Sequence, residues 1–232
     1  MSGKIRVVWQ RFSRSWLFSM ALMGLAVFSF RSAVADWNDV PTGSMQPTIL
    51  IGDRITVNKL AYDLHVPFTK FSLLSWDDPE RGDIVTCWSP ADGARLVKRV
   101  VGLPGDTIAM QGGRLIINGR PIAYRMIDPP AAAAAMGEEA AGKIFLEEDL
   151  PGCSHVVAWQ EGGGSARDFG PVTVPADSYL MLGDNRDFSA DSRYFGFVPR
   201  RDVCGKAFGV AFSLDRGNHW APRWSRLAEG LI

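Results

Sequence analysis

The stretch DTIAMQGGRLIINGRPI, residues 106–122, decides the fold class. Gly112-Gly113 and Asn118-Gly119 flank the run Arg114-Leu115-Ile116-Ile117. Residues of these types supply the positive-φ positions of tight turns, so the apolar runs on either side fold back as local hairpins. The same punctuation recurs along the chain. ILIGDRITVNKL (49–60), GDIVTCW (82–88), RLVKRVVGL (95–103), SYLMLGD (178–184) and GKAFGVAFSL (205–214) are short β-branched or apolar runs divided by Gly, Pro and Asp. That pattern predicts a mainly β, antiparallel domain, with no long helix beyond the N-terminus.

Residues 128–170 differ in character, with Pro129-Pro130, an alanine run, Glu138-Glu139 and Gly162-Gly163-Gly164. They read as an insertion. The alanines are expected to form a short helix or a loop with no functional role, and KIFLEEDLPGCSHVVAW (143–159) is expected to add strands to an accessory β region. The layout expected is a first part of the β domain over 36–106, the accessory region with its insertion over 107–178, and a second part with the C-terminal tail over 179–232.

Upstream, residues 1–15 form a basic N-terminus holding Lys4, Arg6, Arg11 and Arg14 with no acid, which leaves a net charge of minus four on the rest of a chain whose total is zero. No nucleic-acid footprint is visible. Trp16 to Phe30 carries no charge and would run about 22 Å as a helix, against a hydrocarbon core of about 30 Å. Residues 16–35 can serve as a transmembrane anchor if Arg14 and Arg31 snorkel toward the headgroups. The competing reading is a removable secretory signal, because Ala33-Val34-Ala35 matches the A-x-A cleavage pattern. Either way the bulk of the chain lies outside the cytoplasm.

Three cysteines, Cys87, Cys153 and Cys204, are too few for a disulfide framework; Cys87 and Cys204 lie in strand-like runs and read as buried apolar residues. No metal-ligand spacing appears, and neither a metal nor a cofactor is expected. His65, His155 and His219 stand in no nucleophile context and read as surface or turn histidines.

Two other segments carry chemistry. PTGSMQPT (41–48) places Ser44 after a glycine that permits a tight turn, so that the Ser44 amide, helped by the Thr42 hydroxyl, can face an oxyanion. Lys98 stands in the strand-like RLVKRVVGL run, and burial can lower a lysine pKa until the neutral amine serves as a base for a serine. Alternation along a strand sends Lys98 and Arg99 to opposite faces, so only one of them need point inward.

Four ordered blocks, GSMQPTILIGDRITVNK (43–59), RGDIVTCW (81–88), KRVVGLPGD (98–106) and GDNRDFSADSRYFGFVP (183–199), together resemble the bacterial type I signal peptidases. The resemblance implies a membrane-bound serine endopeptidase with an N-terminal transmembrane helix, anchored by a single pass in the bacterial cytoplasmic membrane with its β catalytic domain on the outer, periplasmic side. It implies Ser44 as nucleophile, Lys98 as general base, Thr42 and the Ser44 amide as oxyanion hole, and Ser189 as the residue that orients the lysine. Asp184, Arg186, Asp191 and Arg193 would brace the site through ion pairs. Val40, Met45, Leu96 and Val97 would line shallow apolar pockets for small side chains at the positions one and three before the cut. The implied partners are exported preproteins and the lipid bilayer, not nucleic acid. Trp37, Phe195 and Phe197 are open to either interfacial membrane contact or buried packing. Other readings are a conjugation-associated pilin-processing peptidase and an exported, non-catalytic β-rich binding module.

Overall fold

A computed structural model describes residues 16–33, 35–66, 69, 71–163 and 166–231. The turn glycines and asparagine behave as their chemistry requires: Gly112, Gly113, Asn118 and Gly119 have φ of 53°, 80°, 52° and 76°. The apolar runs form strands β1 (Ala35–Asp39), β2 (Asp53–Asn58), β3 (Asp63–His65), β4 (Ser72–Ser75), β5 (Ile84–Trp88), β6 (Arg95–Gly102), β7 (Thr107–Gln111), β8 (Arg114–Ile117) and β9 (Arg120–Pro121). There follow β10 (Ala123–Met126), β11 (Lys143–Leu150), β12 (Cys153–Gln160), β13 (Phe169–Thr173), β14 (Ser178–Leu182), β15 (Val198–Pro199), β16 (Val203–Asp215), β17 (Ala221–Pro222) and β18 (Glu229–Gly230).

The main sheet runs β1-β2-β16-β5-β6-β14-β15, with β17 and β18 also on β16. Every pairing between these strands is antiparallel. The segment between β6 and β14 makes two smaller sheets, β13-β7-β8-β9 and β10-β11-β12. β3 and β4 stand apart as a hairpin whose Leu73 and Leu74 are exposed.

Four apolar clusters hold the layers together. Val101, Ile108, Met110, Leu115, Val157 and Leu182 fasten the smaller sheets to the end of β6 and to β14. Val85, Cys87, Val100 and Met181 pack on the centre of the main sheet. Val40, Met45, Ile49, Ile55 and Ile84 fix the loop between β1 and β2. Burying each such side chain stabilises by about 1.5–3 kcal/mol. The alanine run forms a helix of four residues, Ala131–Ala134, and its Ala133 packs with Leu50 and Phe145. Phe195 and Phe197 pack against two of the clusters, whereas Trp37 is exposed.

At the N-terminal end, Trp16–Ala33 forms helix α1. Among the described residues no helix is long and apolar enough to cross a membrane: the 18 residues of α1 extend about 27 Å. The basic residues of 1–15, and Val34, lie outside the described residues.

Candidate active site

The loop from Val40 to Gly52 is closed at its base by two backbone bonds, Val40 N–H to the Asp53 carbonyl (3.0 Å) and Gly52 N–H to the Val40 carbonyl (3.1 Å). Within it Ile49 N–H donates to the Met45 carbonyl (2.9 Å). This turn points Met45 and Ile49 together into the core and leaves Ser44, just before it, half-buried at the surface of that core. Beneath the loop, Asp53 is buried and accepts from Leu50 N–H (2.8 Å) and from Arg226 Nη2 (2.8 Å).

Lys98 comes from β6, opposite Val85 of β5. It is 2% exposed, and its Nζ lies 2.7 Å from Ser44 Oγ and 2.9 Å from the Val97 carbonyl. Burial lowers the Lys98 pKa from the ordinary lysine value, outweighing the opposing pull of the Asp191 carboxylate. Cys87 is buried nearby, its thiol pushed up to about 12 by burial, so it offers no competing thiolate near neutrality. Cys87 and Cys153 are free thiols, and Cys204 is half-buried rather than fully enclosed.

The Ser44 amide and the Thr42 hydroxyl take part in no hydrogen bond among the described residues, and Thr42 is exposed. Ser189 sits against the serine loop, because a Cβ on Gly183 would meet Ser189 Oγ at 2.2 Å and the Ser44 carbonyl at 2.4 Å. The bond expected between Ser189 and Lys98 is not made: Ser189 Oγ is buried without a hydrogen-bond partner, and the lysine is taken up by Ser44 and Val97 instead.

Asp184, Arg186, Asp191 and Arg193 of the fourth block do not pair only among themselves. Asp191 and Arg193 do, at 2.8 Å, and Asp191 also accepts from Gly183 N–H (3.0 Å). Asp184 pairs with Arg99 (2.8 Å) and accepts from Thr48 Oγ1 (2.6 Å), whereas Arg186 pairs with Glu148 of β11. Burial favours the protonated forms of Asp184 and Glu148, but Arg99 and Arg186 beside them hold both carboxyls below their ordinary pKa values.

Two expectations are corrected here. Both Lys98 and Arg99 are buried, at 2% and 0%, because apolar clusters cover both faces of β6: Val100 lies in one and Val101 in another. His155 is no surface histidine. It is 6% exposed, with Nε2 3.3 Å from Glu148 and 3.7 Å from Asp184. Burial, reinforced by Arg99, lowers its pKa to about 4. His219, by contrast, is an exposed turn residue.

Of the expected apolar pocket residues, Val40, Met45 and Val97 meet in one cluster and Leu96 packs in its neighbour. Sequence reasoning missed Asn185, whose N–H donates to the Ser44 carbonyl (3.1 Å) and whose Nδ2 donates to the Gly43 carbonyl (2.8 Å). Its place between Asp184 and Arg186 in the fourth block was the available signal. Among the described residues no three His, Cys, Asp or Glu side chains are grouped to hold a metal ion. Chemically, the arrangement offers an enclosed amine in contact with a hydroxyl, and the backbone N–H of that serine has no hydrogen-bond partner among the described residues.

Residues 13–212 match the family described as signal peptidase, peptidase S26. The chain is 35% identical over 219 residues to a signal peptidase I of Pseudomonas fluorescens, spanning 89% of this chain and 74% of the relative. It is 36% identical over 202 residues to one of Pseudomonas aeruginosa, spanning 81% and 68%. It is 32% identical over 205 residues to signal peptidase I P of Bacillus subtilis subsp. natto, spanning 88% and 91%. A solved signal peptidase I from Enterococcus faecalis aligns with a TM-score of 0.35 at 32% identity, over 57% of this chain and 98% of that one.

Proposed function

Because the chain belongs to the signal peptidase, peptidase S26 family, a family of serine endopeptidases that act on exported preproteins, we propose that Ser44 is its nucleophile and Lys98 its general base. The 2.7 Å contact between Lys98 Nζ and Ser44 Oγ carries this reading. A neutral amine accepts the hydroxyl proton as Ser44 Oγ attacks the scissile carbonyl. The Ser44 N–H and the Thr42 hydroxyl donate to the oxyanion, each such donor being worth about 3–4 kcal/mol in the transition state. The ammonium form of Lys98 then returns its proton to the departing amine. Water, deprotonated by the same lysine, hydrolyses the acyl-enzyme.

Substrate lies extended. Pairing of β14 with β6 ends at Leu182 opposite Arg99, so one edge of Arg95–Lys98 lacks a strand partner among the described residues and can take an added strand. The residues before the cut then face Val40, Met45, Leu96 and Val97, and the scarcity of space selects small side chains at the positions one and three before it. Ser189 Oγ is the hydroxyl that can hold Lys98 once Ser44 is acylated. Asp184, Arg186, Asp191 and Arg193 keep the serine loop in place. Bacterial members of the family are membrane-associated. Residues 16–35 anchor this chain by one pass, with the catalytic domain on the outer face of the cytoplasmic membrane.

The test is cleavage of a peptide with Ala-x-Ala before the bond. Ser44→Ala and Lys98→Met are expected to lose on the order of 10⁴-fold in kcat. Lys98→Arg is expected to be inactive across the neutral range, because arginine cannot deprotonate there. The wild-type rate should rise with pH through a single ionisation below 10.5, the ordinary lysine value. A Lys98→Arg variant that keeps the wild-type profile would exclude Lys98 as the base.

A further inference from the structure

Next to Ser44 in the chain, Gly43 and Gln46 line a cavity of about 360 Å³ that is also bounded by Glu138, Glu139, Lys143 and Phe188. That volume falls within the range of peptide-sized and small-ligand sites. We propose that this cavity receives the first residues after the scissile bond, the N-terminus of the released protein, and that Glu138 and Glu139 make it prefer neutral or basic residues over acidic ones. The proposal rests on the reading of Ser44 as nucleophile.

The path of the chain supports it. Residues before the cut occupy the edge of Arg95–Lys98, and that edge is closed beyond Lys98 by β14 and the Gly183–Asn185 turn that follows it. The peptide must therefore leave the sheet at the serine, where Gly43 and Asn185 form the cavity wall. Gly43 is needed for that wall: a Cβ there would meet Gln46 Oε1 at 2.8 Å.

The floor is polar and ordered. Gln46 is 2% exposed, donates to Glu139 and accepts from Lys143 Nζ (3.3 Å), while the Lys143 ammonium lies 5.2 Å from the centre of the Phe188 ring. Asn185, also 2% exposed and lining the cavity, has an Oδ1 without a hydrogen-bond partner among the described residues. The lining holds two carboxylates and one ammonium, and the exposed Glu138 is in no ion pair among the described residues. The amine released by acyl-enzyme formation becomes an α-ammonium next to this acidic rim. The inserted segment 128–170 thus supplies a wall of the site and not merely a surface loop.

The experiment compares kcat/KM for two peptides, alike before the bond but with Lys or Asp at the first two positions after it. The wild type should favour Lys, and Glu138→Lys should lower the Lys/Asp ratio by about 5- to 10-fold, as expected for charges at a partly screened rim. Glu138→Gln should fall between. Thermal unfolding of both variants close to the wild-type midpoint excludes misfolding. An unchanged ratio in Glu138→Lys, with Ser44→Ala inactive, overturns the cavity assignment alone. Activity retained in Ser44→Ala overturns the nucleophile reading beneath it.

Discussion

Lys98 is costly to the fold for the same reason that it suits the role of base proposed for it. In the unfolded chain it is protonated at neutral pH, whereas burial disfavours its ammonium form in the folded protein, so folding weakens its hold on the proton. Stability from this source rises with pH between the lowered folded pKa and the ordinary value of 10.5. Each unit of displacement corresponds to about 1.4 kcal/mol, or roughly 3–6 °C in a chain of this size. Lys98→Met is therefore expected to melt higher than wild type at pH 7, with the gap closing as pH approaches that of free lysine. Thermal unfolding at pH 7 and pH 10 reads this out, and a gap independent of pH would contradict it. The serine and the lysine were legible from their flanking residues. The inward turn of Arg99 was not, since alternation says which face a residue takes and not whether both faces are covered.

At the scale of elements, the turn after β14 sets the precision of the site. Gly183 lets the Ser44 carbonyl and Ser189 approach its Cα, and a Cβ there would lie 2.2 Å from Ser189 Oγ. Gly183→Ala is expected to destabilise by about 1–3 kcal/mol through overpacking and to reduce kcat by more than the stability loss explains, because the atoms displaced belong to the serine loop. Gly230→Ala, at a position with nothing within 4 Å of the added Cβ, is the control. Equal effects of the two substitutions in denaturant titration and peptide cleavage would refute the argument. The strands themselves were readable from Gly, Asn and Asp spacing. The docking of Asn185 onto Gly43 and Ser44 was not, because it joins residues 142 positions apart and leaves no local pattern.

At the scale of the whole molecule, one buried polar cluster ties the accessory sheet to the catalytic loop. It comprises Arg99 on β6, Asp184 after β14, Arg186, Glu148 on β11 and His155 on β12. His155 binds a proton at an ordinary pKa of 6.5 when unfolded but only near 4 when folded. Between those values the unfolded chain holds more protons, so stability falls as pH drops, by up to about 3 kcal/mol. Asp184 and Glu148, held low by their arginines, lose their contribution only at more acidic pH. His155→Gln should flatten the stability profile between pH 6.5 and about pH 4 without changing its slope below, as measured by denaturant unfolding across that range. An unaltered slope would show that the histidine does not carry it. This cluster escaped sequence reading because its members come from four separate segments, and a lone histidine in a β run carries no mark of what will surround it.

The architecture also bears on timing during biosynthesis. Ser44 and its loop are made early, but what grips them, Asp184 and Asn185, follows far downstream, and β16, which joins β2 to β5, comes later still. A partly synthesised chain therefore has its hydroxyl and amine with nothing to hold them together. The protease is inert while it is being born, and its competence to cut neighbours begins only when its final strands arrive.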